Sequence, residues 1–587
     1  MNYKTFIKRL SVTLLSIVLD TIGVSICVNN YCRVTRGPSY LSTPLLTSPW
    51  DFGRYQCFQF ILHILAAMTA GMHMLSLVTV AAVPDHRCWI DGVDTNETVA
   101  AWNSTGILDA IPKTASGGLH NCLMYQNNET VTCTQWVFDT TYRSSSRSME
   151  WNLVCEKRWM GSLAQTVYML GVFTGAVTLG GMADKYGRKT IFCWSGVLQL
   201  IFGVLVAFIP EYWSFLAIRF LYGVFGSAGS YITGFVLTME IVGPSKRTAC
   251  GVAFQAAFAG GIMLVAGWGA LIDNRQLLQA IYGLHSLLLI PHIWIMDESP
   301  RWLWAQGRAK ESVDIIEKAL KCNRSEDTLD RAELVSRGKV EASKGAEAPS
   351  AGTTDLFKTP NLRNKTLNVC FCWFANSIAY YGLTLSTGKL EGNPYLITAI
   401  LGFVELPSYA AVIYFLDVWG RRPLICSMML IGGAACVVAT FLPAGTTIST
   451  ATVIAGKLFI AGSFAIIYNY SAELFPTVVR NSALGLGSMC ARLSGALTPL
   501  ITLLDSFNPK IPAVTFGVVA ILSGFLCFFL PETMNQPMPQ TLADGEKFGK
   551  GDTLFTSCLG KKQRDNHTDD DKIPEAMVPL DDISKKA

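Results

Sequence analysis

Apolar runs close to the length that crosses a bilayer recur along most of this 587-residue chain. A helix rises about 1.5 Å per residue, so roughly 20 apolar residues cover the hydrocarbon core. Runs of that kind fall at 56–82, 160–181, 190–209, 213–238, 249–271, 277–297, 366–386, 395–416, 423–442, 450–470, 482–504 and 513–531. They predict an all-α membrane protein of twelve transmembrane helices. A polar stretch at 298–365 divides these spans six and six. The expected organisation is an N-terminal half at 52–297, a loop at 298–365, a C-terminal half at 366–533 and a polar tail at 534–587. Residues 1–51 fit poorly. The run 10–28 is apolar apart from Asp20 and follows Lys4, Lys8 and Arg9 as in a signal peptide, yet cleavage or a true span there would invert the topology derived next. It reads as an interfacial segment, a dispensable extension or an artefact of gene assignment.

Short cytoplasmic loops carry an excess of Lys and Arg, which assigns sidedness. Asp184-Lys185-Tyr186-Gly187-Arg188-Lys189 joins spans two and three, Ser245-Lys246-Arg247 joins four and five, and Gly420-Arg421-Arg422 joins eight and nine. Arg480 lies between ten and eleven, while alternate loops such as Ile209-Pro210-Glu211 carry little positive charge. Both ends of the twelve-span unit and the loop at 298–365 are therefore expected in the cytoplasm. The long first loop, 83–157, is then extracellular. It holds three N-x-S/T sequons, at Asn96, Asn103 and Asn128, which are usable only on the lumenal side. It also holds Cys88, Cys122, Cys133 and Cys155, disulfide candidates in an oxidising exterior with three pairings open. The other cysteines read as small packing residues.

The two halves repeat each other. Asp184-x-x-Gly187-Arg188-Lys189 recurs as Asp417-x-x-Gly420-Arg421-Arg422, and Glu240 with Arg247 recurs as Glu473 with Arg480, all offset by 233 residues. Glu298-Ser299-Pro300 has a rough counterpart in Pro531-Glu532-Thr533. Parallel six-span halves related by an axis along the membrane normal belong to an alternating-access architecture, with substrate held near the midplane. The glycines permit tight turns, and the acidic and basic side chains read as parts of a cytoplasmic gate whose ion pairs hold the halves together when the outside is open. Glycines at Gly171, Gly175, Gly223, Gly226, Gly229, Gly485 and Gly487 read as close helix contacts.

Charges inside spans cost roughly 2.5–3.5 kcal/mol on insertion scales and face a cavity or a partner. Four qualify: Arg219, Glu405, Lys457 and Arg492. Arg219 reads as structurally paired and Lys457 as snorkelling outward. Glu405 and Arg492, deep in the second half, read as a substrate-facing pair. Aromatics accompany them: Tyr231, Phe235, Trp373, Tyr380, Tyr381, Tyr409, Phe464 and Tyr468. Their faces suit flat organic groups and quaternary ammonium.

Composition removes other classes. Charged residues make up 15% of the chain, against about 25% in soluble proteins. The net charge of +4 comes with no basic stripe, which excludes nucleic acid as a partner. No His-Glu-x-x-His pair and no Gly-x-Ser-x-Gly elbow occurs, so an enzyme is not expected. A non-transporting receptor has no use for two matched gates.

Several motifs are similar to those of one family. Val83-Pro84-Asp85-His86-Arg87-Cys88-Trp89, Glu150-Trp151-Asn152-Leu153-Val154-Cys155, Glu298-Ser299-Pro300-Arg301-Trp302-Leu303 and Ala472-Glu473-Leu474-Phe475-Pro476-Thr477-Val478-Val479-Arg480-Asn481 resemble the organic cation/anion/carnitine transporter family of the major facilitator superfamily. Pro531-Glu532-Thr533-Met534-Asn535-Gln536-Pro537-Met538-Pro539 closes the match, which spans roughly 52 to 542. The resemblance implies the major facilitator fold, a plasma-membrane location, polyspecific transport of small organic ions and no bound cofactor. It leaves a sodium or proton coupling ion open. It also implies a charge-selecting role for the position of Arg492, where cation carriers tend to have Asp and anion and carnitine carriers Arg. Anion carriers often add a Lys where this chain has Tyr409. The combination of Glu405, Tyr409 and Arg492 therefore implies a zwitterionic, carnitine-like substrate or an anion, with a cation as the alternative.

Overall fold

The computed structural model describes residues 52–94, 102, 104–113, 118–126, 129–324, 330–345, 352–385, 392–443 and 446–552. Residues 1–51, the tail beyond 552 and the three sequon asparagines Asn96, Asn103 and Asn128 lie outside the described residues.

Among the described residues, eleven helices are long and apolar enough to cross a membrane: α1 (Arg54–Val80), α2 (Cys155–Tyr186), α3 (Arg188–Phe208), α4 (Tyr212–Ile241), α5 (Lys246–Leu271), α6 (Arg275–Ile295), α8 (Pro394–Trp419), α9 (Arg421–Ala439), α10 (Thr447–Leu474), α11 (Arg480–Ser506) and α12 (Ile511–Phe529). The twelfth, α7 (Pro360–Leu385), completes the set and carries Lys365, Asn368 and Asn376 among its apolar residues. Most helices run a few residues past the apolar runs, because the ends that reach the headgroup zone tolerate polar side chains. Large apolar side chains such as Trp194, Phe208, Tyr414 and Phe441 point outward. Such a surface is stable against lipid, not water.

Close backbone contact holds each half together. A Cβ on Gly171 of α2 would sit 2.2 Å from the Phe220 carbonyl of α4, and one on Gly223 would sit 2.3 Å from the Tyr168 carbonyl. Only glycines permit that approach. Between the halves, α2 packs on α11 and α5 on α8. The centre of α4 loosens into a π-helical stretch, Val224–Ile232, beside the cavity described below.

The long first loop forms a small body of its own. Strand β1 (His86–Cys88) pairs antiparallel with β4 (Trp136–Phe138), and β2 (Leu123–Gln126) with β3 (Glu129–Thr132). Of the three possible pairings, the disulfides take Cys88–Cys133 and Cys122–Cys155. Arg87 is fully buried and meets both Asp94 oxygens at 2.7 and 2.8 Å. Cys57 is also disulfide-bonded, which corrects its reading as a mere packing residue.

The polar stretch after α6 is not plain linker. Helices Pro300–Ala305, Ala309–Asn323 and Arg331–Gly345 occupy it. The side chain of Asn323 accepts from the Tyr55 N–H at the start of α1 at 2.9 Å, and Lys318 pairs with Asp297 at 2.7 Å.

Candidate functional site

A cavity lies between the halves. Its walls come from α1 (Ala70, Met74), α2 (Met169, Val172), α4 (Ser227, Tyr231), α5 (Gln255, Phe258), α7 (Ser377, Tyr380, Tyr381), α8 (Tyr409), α10 (Phe464, Tyr468) and α11 (Ala491, Arg492). Six of the eight aromatic candidates therefore reach it: Tyr231, Tyr380, Tyr381, Tyr409, Phe464 and Tyr468. Trp373 and Phe235 do not. Trp373 stands behind Tyr468, edge to face at 4.3 Å, with its indole N–H on the Ser471 hydroxyl at 3.0 Å. Phe235 packs between Phe254 and Tyr468 at 5.5 and 5.7 Å.

Arg492 is the one charged side chain in this lining. It donates to the Ser488 carbonyl at 3.1 Å and to the Ser488 hydroxyl. Its Nε is buried without a partner, and among the described residues it makes no ion pair. A half-buried guanidinium with an unused donor is suited to an arriving carboxylate.

Glu405 is placed differently from the sequence reading, and this is a correction. Its carboxylate is fully buried behind the wall and meets Lys457 at 3.0 Å, not Arg492. The Tyr380 hydroxyl donates to Oε1 and the Tyr409 hydroxyl to Oε2, both at 2.8 Å. Lys457 is equally buried, donates to the Thr384 hydroxyl at 2.6 Å, and does not snorkel. Two opposite charges at membrane depth find each other because neither can reach water. Among the described residues Arg219 has no carboxylate partner: its guanidinium stacks 4.7 Å from the Tyr168 ring centre and donates to Gln165 at 3.4 Å.

At the face opposite the long loop, the repeated motifs build two matching clusters. Arg188 meets Asp184 at 2.9 Å and Glu240 at 3.3 Å, and Arg421 meets Asp417 at 3.5 Å and Glu473 at 2.9 Å. Each cluster stays within its own half. Arg247 and Arg480, read with the two glutamates as gate charges that the repeated loops engage, donate to the carbonyls of Val242 and Phe475. The backbone N–H groups of Arg188 and Lys189 donate to Glu298 at 3.1 Å. Those of Arg421 and Arg422 donate to Glu532 at 3.0 Å. Each carboxylate thus closes the start of a transmembrane helix, α3 or α9. Sequence reasoning assigned these two glutamates no role, although both stood in the repeated segments it singled out. Burial pushes the Glu298 carboxyl above its ordinary range, against the opposing pull of the Ser299 and Lys189 N–H groups. The Arg422 side chain donates to the Leu530 carbonyl at 3.0 Å and meets Asp552 at 3.6 Å.

At the long-loop face, contacts run between the halves. Arg158 at the start of α2 meets Asp505 at the end of α11 at 2.5 Å. Arg143 of the loop donates to the Tyr395 hydroxyl of α8 at 2.9 Å and to the Gly269 carbonyl of α5 at 3.1 Å.

Comparison with known proteins agrees with this architecture. A family model described as Sugar (and other) transporter matches residues 118–541. A Drosophila melanogaster protein named "Organic cation transporter protein" is 38% identical, over 86% of this chain and 94% of its own length. The chain belongs to the organic cation/anion/carnitine transporter family of the major facilitator superfamily. Human "Solute carrier family 22 member 13" is 32% identical, over 84% of this chain and 91% of its own. Among solved structures, the proton:xylose symporter XylE bound to 6-bromo-6-deoxy-D-glucose aligns with a TM-score of 0.57 at 16% identity, covering 84% of this chain and 99% of that one. That likeness concerns the fold alone. The protein is thus a multi-pass membrane transporter of small organic ions and not an enzyme.

Proposed function

We propose that this transporter carries a small organic anion or zwitterion by alternating access, with the substrate carboxylate on Arg492. The observation that carries the reading is the charge balance of the cavity: Arg492 lines it without an ion pair, whereas Glu405 lies behind the wall and is neutralised by Lys457. The tyrosine faces suit the ammonium of a carnitine-like molecule, so Glu405 is not needed as a direct ligand. In the plasma membrane the long disulfide-bonded loop faces outward and both ends of the helical unit face the cytoplasm, as the loop charges favour. The structure then has its outer side closed by Arg158–Asp505 and Arg143–Tyr395.

The second reading is a cation carrier. It is favoured by the aromatic lining and by the name of the 38% identical Drosophila relative. Uptake of labelled carnitine, a monocarboxylate and a quaternary ammonium by cells expressing the wild type and Arg492→Ala separates the two. A hydrogen bond to a charged group contributes about 1.5–3 kcal/mol, so Arg492→Ala is expected to lower carnitine or monocarboxylate uptake by about tenfold or more at equal surface density. Uptake of the quaternary ammonium alone, unchanged by the substitution, overturns the anion-site reading and leaves the cation one. Absence of concentrative uptake of any probe points to a receptor instead.

A further inference from the structure

Glu405 touches two wall residues and a lysine, and these contacts are not equivalent. Oε1 takes both the Tyr380 hydroxyl and Lys457, while Oε2 takes the Tyr409 hydroxyl. Lys457 Nζ also lies 3.1 Å from the centre of the Tyr380 ring, and Phe464 stacks on that ring at 5.7 Å. The Tyr380 π-system therefore already holds a cation. Tyr409 has no ring or cation contact among the described residues, although its ring borders the cavity and its hydroxyl is held by a carboxylate. A phenol that donates to a carboxylate gains electron density in its ring. That strengthens attraction for a cation on the open face, most of all where water is excluded.

We propose that Tyr409 is the ring that receives the cationic group of a substrate, and that Glu405 and Lys457 set charge selectivity from behind the wall as positioning residues. Glu405 makes the Tyr409 ring electron-rich and holds it in place. Lys457 occupies Tyr380 and withdraws it from that role, and it keeps the site from becoming a strong cation trap. This assignment rests on the cavity being the substrate site, which Arg492→Ala tests separately.

The experiment measures KM for a quaternary ammonium probe and for a monocarboxylate probe, normalised to surface density. A desolvated cation–π contact contributes up to about 2 kcal/mol, so Tyr409→Leu is expected to raise the cation-to-anion KM ratio about tenfold. Tyr409→Phe keeps the ring but frees Oε2, and is expected to raise the ratio about threefold. The pair Glu405→Gln with Lys457→Met removes both buried charges and keeps the packing. In that background, adding Tyr409→Phe is expected to change the ratio no further, whereas a merely structural tyrosine gives the same effect in both backgrounds. If Tyr409→Leu leaves the ratio within about twofold of wild type while Arg492→Ala abolishes uptake, the inference falls and the substrate site stands. If both substitutions are harmless, the cavity is not the site and both readings fall.

Discussion

Glu405 and Lys457 form a fully buried ion pair at membrane depth, and the chemistry of each depends on the other. Removing one partner of such a pair leaves a charge that no water can reach, at a cost of about 3–5 kcal/mol. Glu405→Gln alone is accordingly expected to lower stability by about that much, read as thermal unfolding in detergent. Glu405→Gln combined with Lys457→Met is expected to recover most of the loss. Equal destabilisation by the single and the double change would show that the pair does not act as a unit. The four intramembrane charges are legible in the sequence, because each interrupts an apolar run. Their partners are not. Glu405 and Lys457 are separated by 52 positions, with α9 between their helices, so the pairing depends on how α8 packs on α10. The same holds for Phe235 and Trp373, whose helix faces were not distinguished from those of Tyr231 and Tyr380.

At the level of elements, the repeated turn is the informative unit. Gly187 and Gly420 adopt φ of +107° and +89°, and a Cβ there would lie 2.4 Å from a Glu298 oxygen and 2.7 Å from a Glu532 oxygen. Either alanine substitution would meet left-handed strain and push the capping carboxylate away from the α3 or α9 terminus. Each is expected to destabilise its half by about 1–3 kcal/mol, measured by thermal unfolding of the purified transporter. Glu298→Ala and Glu532→Ala remove the cap without the strain, and about 0.5–2 kcal/mol is expected for each. No difference from wild type in either cap variant would mean that water replaces the carboxylate without loss. The motif spacing announces these turns, and the 233-residue offset pairs them. The identity of the capping acid is a tertiary fact, since Glu298 comes from 110 positions beyond Arg188 and Glu532 from 111 beyond Arg421.

For the whole molecule, the decisive contacts are those between the halves at the long-loop face. Arg158–Asp505 lies on one side and Arg143–Tyr395 on the other, so both must part for the cavity to open there. Arg158→Ala with Tyr395→Phe is expected to shift the population toward that open state. A cysteine placed at Ala70 in the cavity should then react several-fold faster with an impermeant thiol reagent applied from the long-loop face. Unchanged labelling would mean that helix packing of α2 on α11 and α5 on α8 closes this side without the polar latch. The sequence by itself determined the class of molecule: twelve apolar runs are incompatible with water, and two copies of one charged turn require two equivalent halves. It also placed Arg492 and most of the aromatics, because deep charges and rings in a span have few uses. Only the tertiary structure decided which charges neutralise each other, which rings border the cavity and which glutamates cap which helices. Hydrophobic periodicity records the solvent a helix meets, whereas a charge pair or a cavity wall records which face of a helix meets which neighbour, and that is settled by packing between segments far apart in the chain.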